Sequence, residues 1–242
     1  MPLGFLAVFT QPNSSLPLEE FHQWYEEEHI PIRMNHLKEF LSGARYQASE
    51  PFQTDLGWLA MYEIDNTKTF SDPKYTSLRE KRSEREKQVM ARLEKLVRIL
   101  GEDSGVYDGS SKAGKSTGMK VGNPTRWVVT HALYGQHLNA EDLVAFRDKL
   151  RESLGNSWIG MRVVKVLEKA EVGLGSVPVS SKSEKDEKEV EYLVIHDFDS
   201  EEGESKCTLH QVQTALEGHC RVEEWRKWTL YKAYPGIAQE FI

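Results

Sequence analysis

Cysteine is nearly absent from this chain of 242 residues: Cys207 and Cys220 are the whole supply. Two thiols are too few for a disulfide framework, which points to a reducing compartment. Long apolar runs are missing too. No stretch approaches the ~20 apolar residues of a bilayer-spanning helix. The opening MPLGFLAVFTQPNSS has no basic leader and too short an apolar run for a signal core, so it reads as a strand. The expected setting is the cytoplasm, without a membrane partner. Positive charge is also short: 38 Asp and Glu outnumber 31 Lys and Arg, for a formal net charge of -7. That balance argues against nucleic acid or an anionic lipid surface as the main partner. Even the densest basic stretch, Arg79 to Lys87, is interleaved with Glu80, Glu84 and Glu86, and reads as a solvated helix face held by i, i+4 pairs.

What the chain does have is a concentration of aromatics around one histidine. In LEEFHQWYEEEHIPIR, Phe21, Trp24, Tyr25 and Glu28 fall at i, i+3, i+4 and i+7, so the aromatics share the buried face of a helix over 18–29. Pro31 disfavours α geometry at Ile30, so the helix is expected to end there, with His29 at its mouth. A helix C-terminus favours the imidazolium, Glu26 and Glu28 push the same way, and apolar burial opposes it. Such a group is poised to move protons near neutral pH. A capping histidine beside a core helix is the structural alternative.

The order of elements predicts a strand near 3–10, the helix at 18–29, strands at 43–50 and 57–64, and one long helix over 73–100 carrying Tyr75, Leu78, Val89, Leu93, Leu96, Val97 and Leu100. A short edge strand is expected around Val106 and Tyr107. The pattern then restarts, with a strand at 126–134, a helix at 139–154 capped by Asn139, strands at 158–168 and 190–198, a helix at 206–217 and a strand at 225–234. Each half reads β-α-β-β-α-β. The fold expected is α+β: two tandem ferredoxin-like units, 1–122 and 123–242, the second with a mobile insertion near 171–189. WLAMYEI, WVVTHALY and YLVIHDF are apolar at both parities, so both sheet faces should be covered. Packing the two sheets against each other, with helices outside, gives an internal dimeric α+β barrel with pockets between sheets and helices.

Several motifs invite chemistry. Gly109 to Ser116 spells the phosphate-loop pattern, but neither a buried strand precedes it nor a helix follows, so it reads as a flexible loop. Cys207, His210, His219 and Cys220 flank one helix, which holds the pairs roughly 15 Å apart, too far for one zinc ion; no metal site is expected. His131 and His196 lie on strands expected to be adjacent and parallel, within reach of one substrate or one metal. They form a secondary candidate, with hydrogen-bonded core histidines as the alternative.

With the paired β-α-β-β-α-β order and the helix of Phe21, Trp24, Tyr25, His29 and Pro31, the chain resembles the EthD-like branch of the dimeric α+β barrel superfamily, in particular fungal-type proteins with two fused units. Gly43-Ala44-Arg45-Tyr46, Trp58 to Tyr62, and Tyr75, Leu78 and Arg79 extend the resemblance. It covers residues 1 to 100; beyond them it is topological, and NAEDLVAFRDKLRESLG has neither the Trp-Tyr pair nor the His-x-Pro element. The resemblance implies a histidine and tyrosine pair in an apolar pocket acting on a phenolic, lactone or enolisable substrate. His29 is expected as general acid/base and Tyr46 or Tyr62 as phenol donor. Phe9, Trp24, Tyr25, Trp58 and Met61 are expected to wall the pocket, and Arg33 to hold a carboxylate or enolate. The function expected is that of a cofactor-independent lyase or isomerase, carrying out isomerisation, cyclisation, dehydration or decarboxylation of an aromatic or polyketide-like small molecule of secondary metabolism. A non-catalytic hydrophobic-ligand-binding or stress-associated barrel and a cofactor-free quinol monooxygenase are the alternatives. Haem is the cofactor alternative, since some superfamily members bind it through a lone histidine. The fused units permit a monomer with an internal pseudo-dimer, or a homodimer.

Overall fold

In the computed structural model, residues 1–50, 55–108, 116–173, 179–180 and 189–239 are described. The first half runs β1 (Gly4–Pro12), α1 (Leu18–Trp24), a π-helical turn (Tyr25–His29), α2 (Pro31–Met34), β2 (Phe40–Ala48), β3 (Trp58–Ile64), α3 (Pro73–Glu80), α4 (Glu84–Ala91) and β4 (Leu93–Asp108). The second runs β5 (Trp127–Gly135), α5 (Ala140–Leu154), β6 (Trp158–Gly173), the two-residue β7 (Val179–Ser180), β8 (Val190–Phe198), α6 (Glu201–Lys206), α7 (Leu209–Ala215) and β9 (Cys220–Tyr234).

The strands follow the order β4-β1-β3-β2-β9-β5-β8-β6, and β6 pairs back onto β4, so eight strands close into a ring. Every pairing is antiparallel, including β5 with β8, where a parallel arrangement was expected. The two halves therefore meet by hydrogen bonding at the β2–β9 and β4–β6 seams, forming one continuous barrel rather than two stacked sheets. Closure removes every exposed edge from these eight strands. At the β4–β6 seam the backbones approach so closely that a Cβ on Gly101 would lie 2.3 Å from Val164 Cγ1 and 2.8 Å from the Lys165 carbonyl oxygen.

Apolar residues at both parities are what such a barrel requires. Phe5, Ala7, Phe9, Tyr46, Leu59, Met61, Val97, Ile99, Leu193, Ile195 and Trp228 fill the interior. The alternate residues face outward into two separate cores. Leu6, Ala60, Tyr62, Ile64 and Leu100 pack under α1 to α4, and Val129, Leu133, Met161, Val194 and Phe198 pack under α5 and α7.

The long helix expected over 73–100 is instead α3, α4 and most of β4. Ser83 caps α4 by accepting from the Glu86 N–H at 2.9 Å, which breaks the helical run. From Leu93 the chain is extended because Val97 and Ile99 enter the barrel while Leu96 and Leu100 face the helices; apolar residues on both faces of a strand mimic a helical period. The expected edge strand at Val106 is the far end of this same β4. The helix expected over 206–217 is α7 alone, with α6 before it, and β9 begins at Cys220. Of the expected insertion near 171–189, Glu171 to Gly173 belong to β6 and Val179–Ser180 form β7; residues 174–178 and 181–188, and Gly109 to Lys115 of the phosphate-loop pattern, lie outside the described residues. Among the described residues no helix is long and apolar enough to cross a membrane.

Candidate active site

The helix that carries the aromatics does not stop at Pro31. A proline inside a helix lacks an N–H and its ring clashes with the carbonyl four residues back, here that of Glu27. The chain answers with one wider turn: the Ile30 N–H bonds to the Tyr25 carbonyl at 2.9 Å, and Pro31 takes the first position of α2, where its missing donor costs nothing. His29 thus sits in a π-turn inside a helical run rather than at a helix mouth. Buried Arg33 ties down the turn by donating from Nη1 to the His29 carbonyl at 2.7 Å.

This turn forms one wall of a cavity of about 330 Å3 between the outer face of the barrel and α1 to α4. Trp24, Tyr25, His29 and Arg33 line it from the first helix and π-turn, Leu6 and Val8 from β1, and Tyr62 from β3. Tyr75 and Arg79 come from α3, Arg82 from the break after it, Glu86, Met90 and Ala91 from α4, and Leu96 and Arg98 from β4. Ala170 and Val172 of β6 complete the rim, so both halves contribute.

The His29 ring packs between Trp24 and Tyr25, with ring centroids 4.5 and 5.0 Å away. Its Nδ1 lies 3.5 Å from Oε1 of Glu86, a carboxylate only 3% exposed. Its Nε2 has no hydrogen-bond partner among the described residues. Burial, assisted by the Arg33 charge and opposed by Glu86, pushes the His29 pKa down to about 3, so the ring is neutral at physiological pH, contrary to the near-neutral value expected at a helix end. Burial raises the Glu86 pKa, but His29, Arg33 and Arg82 outweigh it and hold the carboxyl below its ordinary value. A neutral imidazole with an ionised carboxylate at Nδ1 can accept a proton at Nε2, although a pKa of about 3 makes it a weak base. Tyr62 completes the set: burial drives its pKa up, keeping it a phenol, and its Oη is buried without a hydrogen-bond partner among the described residues. Gly43 makes room for that ring, since a Cβ there would stand 2.8 Å from Tyr62 Cδ1.

Of the residues singled out in the sequence, His29, Tyr62, Trp24, Tyr25 and Arg33 meet in this cavity. Tyr46, Phe9 and Met61 do not: strand alternation turns them into the barrel interior, where the Tyr46 hydroxyl donates to the Thr125 carbonyl at 3.3 Å. Trp58 faces the helices but packs against His22, Tyr231 and the guanidinium of Arg45. His131 and His196 share the outer face of β5 and β8, with Nε2 atoms 2.9 Å apart, one donating and the other accepting. Both are fully buried, His131 stacked on Trp225 and His196 tilted against Trp158, in the manner of the core-histidine alternative. Among the described residues no group of three or more His, Cys, Asp or Glu could hold a metal ion.

Glu86, Arg79, Arg82 and Arg98 were not legible as site residues. The stretch read as a solvated face folds over the cavity, and Glu86 turns inward. The signal was present in Ser83-x-x-Glu86, a capping-box spelling that marks a helix start.

Several solved structures share the fold of this chain. An anthrone oxidase-like protein superposes with a TM-score of 0.59 at 11% identity, covering 99% of this chain and 95% of its own. A protein provisionally named a monooxygenase, from Lactobacillus acidophilus, gives 0.53 at 8% identity, with 97% of each chain covered. A chlorite dismutase variant from Candidatus Nitrospira defluvii gives 0.53 at 9% identity, covering 95% and 91%. The fold is that of the dimeric α+β barrels. The sequence matches no family model and no curated protein. His131 and His196 are engaged with each other, which leaves His29, on the cavity wall, as the histidine that could carry the haem alternative; no cofactor is shown for this chain.

Proposed function

We propose that the protein is a small-molecule enzyme in which His29 is the general acid/base acting on an aromatic or polyketide-like substrate. The observation that carries this reading is the His29 imidazole on the cavity wall, its Nδ1 3.5 Å from Glu86 Oε1 and its Nε2 without a hydrogen-bond partner among the described residues. In the proposed step His29 Nε2 takes the proton from a carbon next to a substrate carbonyl, and the C–H electron pair moves to the carbonyl oxygen. The Tyr62 hydroxyl donates to that enolate oxygen, and Glu86 stabilises the imidazolium. Return of the proton to another carbon completes an isomerisation; delivery to a departing hydroxyl completes a dehydration with loss of water. The non-catalytic alternative expects an apolar pocket around one tied histidine, and the arginines and Glu86 of this cavity favour the enzyme.

The shared strand order, β4-β1-β3-β2 and β9-β5-β8-β6, supports reading residues 1–122 and 123–242 as tandem ferredoxin-like units working as an internal pseudo-dimer, and we further propose that they are of the EthD-like type and work in the cytoplasm. The test of function is turnover of enolisable aromatic ketones by the wild-type protein and by His29→Ala. Loss of about 100-fold or more in the variant is expected, and unchanged turnover refutes the mechanism.

A second reading starts from the same deprotonation with dioxygen as co-reactant: a ring CH2 becomes C=O, taking one oxygen atom while the other leaves as water. The anthrone oxidase-like and monooxygenase likenesses favour it. Uptake of one O2 per product separates it from the first.

A further inference from the structure

We infer that the ligand of the His29 cavity is an aromatic carboxylate, its ring held among Trp24, Tyr25 and Tyr75 and its oxyanion met by the arginines at the rim. The inference rests on the proposed function for the location of the site and adds the charge of what enters it. Four guanidiniums, those of Arg33, Arg79, Arg82 and Arg98, line the cavity of a chain whose formal net charge is -7. Such local reversal of sign is not a by-product of composition.

The pairing within the cavity leaves positive charge over. Arg98 bonds to Glu168 at the rim, and Arg82 Nε lies 3.5 Å from Glu86 Oε1, the same oxygen that faces His29. Arg79 makes neither a hydrogen bond nor an ion pair among the described residues and stays exposed at the mouth. Partial burial, with Arg98 and Arg82 alongside, holds the Arg79 pKa below its ordinary value. Like charges crowded at a concave mouth are relieved by an incoming anion. Deeper in, the cavity-lining residues Trp24 and Tyr62 carry a buried Nε1–H and a buried hydroxyl that find no partner among the described residues. Unpaired buried donors beneath the unpaired Arg79 call for a ligand rich in acceptor oxygens. An apolar wall of Leu6, Val8, Met90 and Leu96 calls for a flat hydrophobic body behind them.

The experiment is calorimetric titration of the full chain with naphthalene-2-carboxylate and with its neutral twin, naphthalene-2-carboxamide. The carboxylate is expected to bind on the order of tenfold more tightly, with an advantage that shrinks as salt is raised. Arg79→Met, at an exposed position without partners, should erase most of that advantage while leaving carboxamide binding as it was, and Arg79→Lys should restore part of it. Equal affinity for the two probes, binding of neither, or a preference that survives in both Arg79→Met and Arg98→Met overturns the inference. His29→Ala in the same titration keeps the two readings apart, because it should retain the carboxylate preference. Charge preference without His29-dependent turnover upholds this inference and sinks the catalytic one; His29-dependent turnover without charge preference sinks this inference alone.

Discussion

His29 on the π-turn and Glu86 on α4 face one another across the cavity wall, Nδ1 to Oε1 at 3.5 Å, with the Glu86 carboxylate almost wholly enclosed. The pair joins two helical segments that the sequence separates. Glu86→Gln keeps the shape and removes the charge that the imidazolium needs. Each pK unit of lost stabilisation is about 1.4 kcal/mol, or tenfold in rate. A fall of about ten- to a hundredfold in kcat with little change in KM is expected from steady-state kinetics, and an unaltered kcat would remove Glu86 from the mechanism.

Tyr62→Phe deletes a buried hydroxyl that has no partner among the described residues, so the fold should lose little. If that hydroxyl meets the developing enolate, kcat should fall about 100-fold. A variant as active as wild type would show that the oxyanion is held elsewhere.

The pH profile follows from the depressed His29 pKa. With a folded value of about 3, the base is fully deprotonated from pH 5 to 8, so kcat/KM should be flat on its acid side across that window. An imidazole at its ordinary value would give a limb near pH 6.5. A measured limb there would contradict the buried, neutral ring.

Stability should respond to pH more strongly than activity does. Burial lowers His22 to about 4 and His29 and His131 to about 3, and holds His196 well below its ordinary value. Between about pH 6.5 and 4 the unfolded chain therefore binds protons that the folded chain refuses, and stability drops as pH falls. Asp197, raised by burial to about 6, acts in the opposite sense, since its contribution is present at low pH and fades as pH rises through 6. Several histidines outweigh one aspartate. The thermal unfolding midpoint should be lower at pH 5 than at pH 7, and an equal or higher midpoint at pH 5 would count against these burials.

The β4–β6 seam gives a prediction for the architecture alone. Because a Cβ at Gly101 meets Val164 and the Lys165 carbonyl, Gly101→Val should cost about 1–3 kcal/mol in denaturant unfolding. A neutral substitution would show that the seam is looser than drawn.

Much of this was legible in the residues. Strands apolar at both parities announced a sheet covered on both faces, and Phe21, Trp24 and Tyr25 at helical spacing announced the aromatic wall beside His29. What escaped was decided by tertiary context. Leu93 to Leu100 fit a helical period because they alternate between the barrel interior and the helix layer, and a one-dimensional pattern cannot separate those cases. Parity was the cause again for Tyr46, one strand position from the outer face and so inside the barrel. Glu86, embedded in a charged run, could be recognised only once Ser83 was seen to start a new helix that turns it inward.

The central claim is that His29 moves a carbon-bound proton in this cavity, and isotope exchange reads that step without requiring the natural product. Anthrone, whose ring CH2 is acidic, can be held anaerobically with the protein in D2O and its CH2 signal followed by NMR. The account predicts protein-catalysed loss of that signal, reduced about 100-fold or more in His29→Gln. Exchange equally fast in the wild type and the variant, or no faster than in buffer, would contradict it.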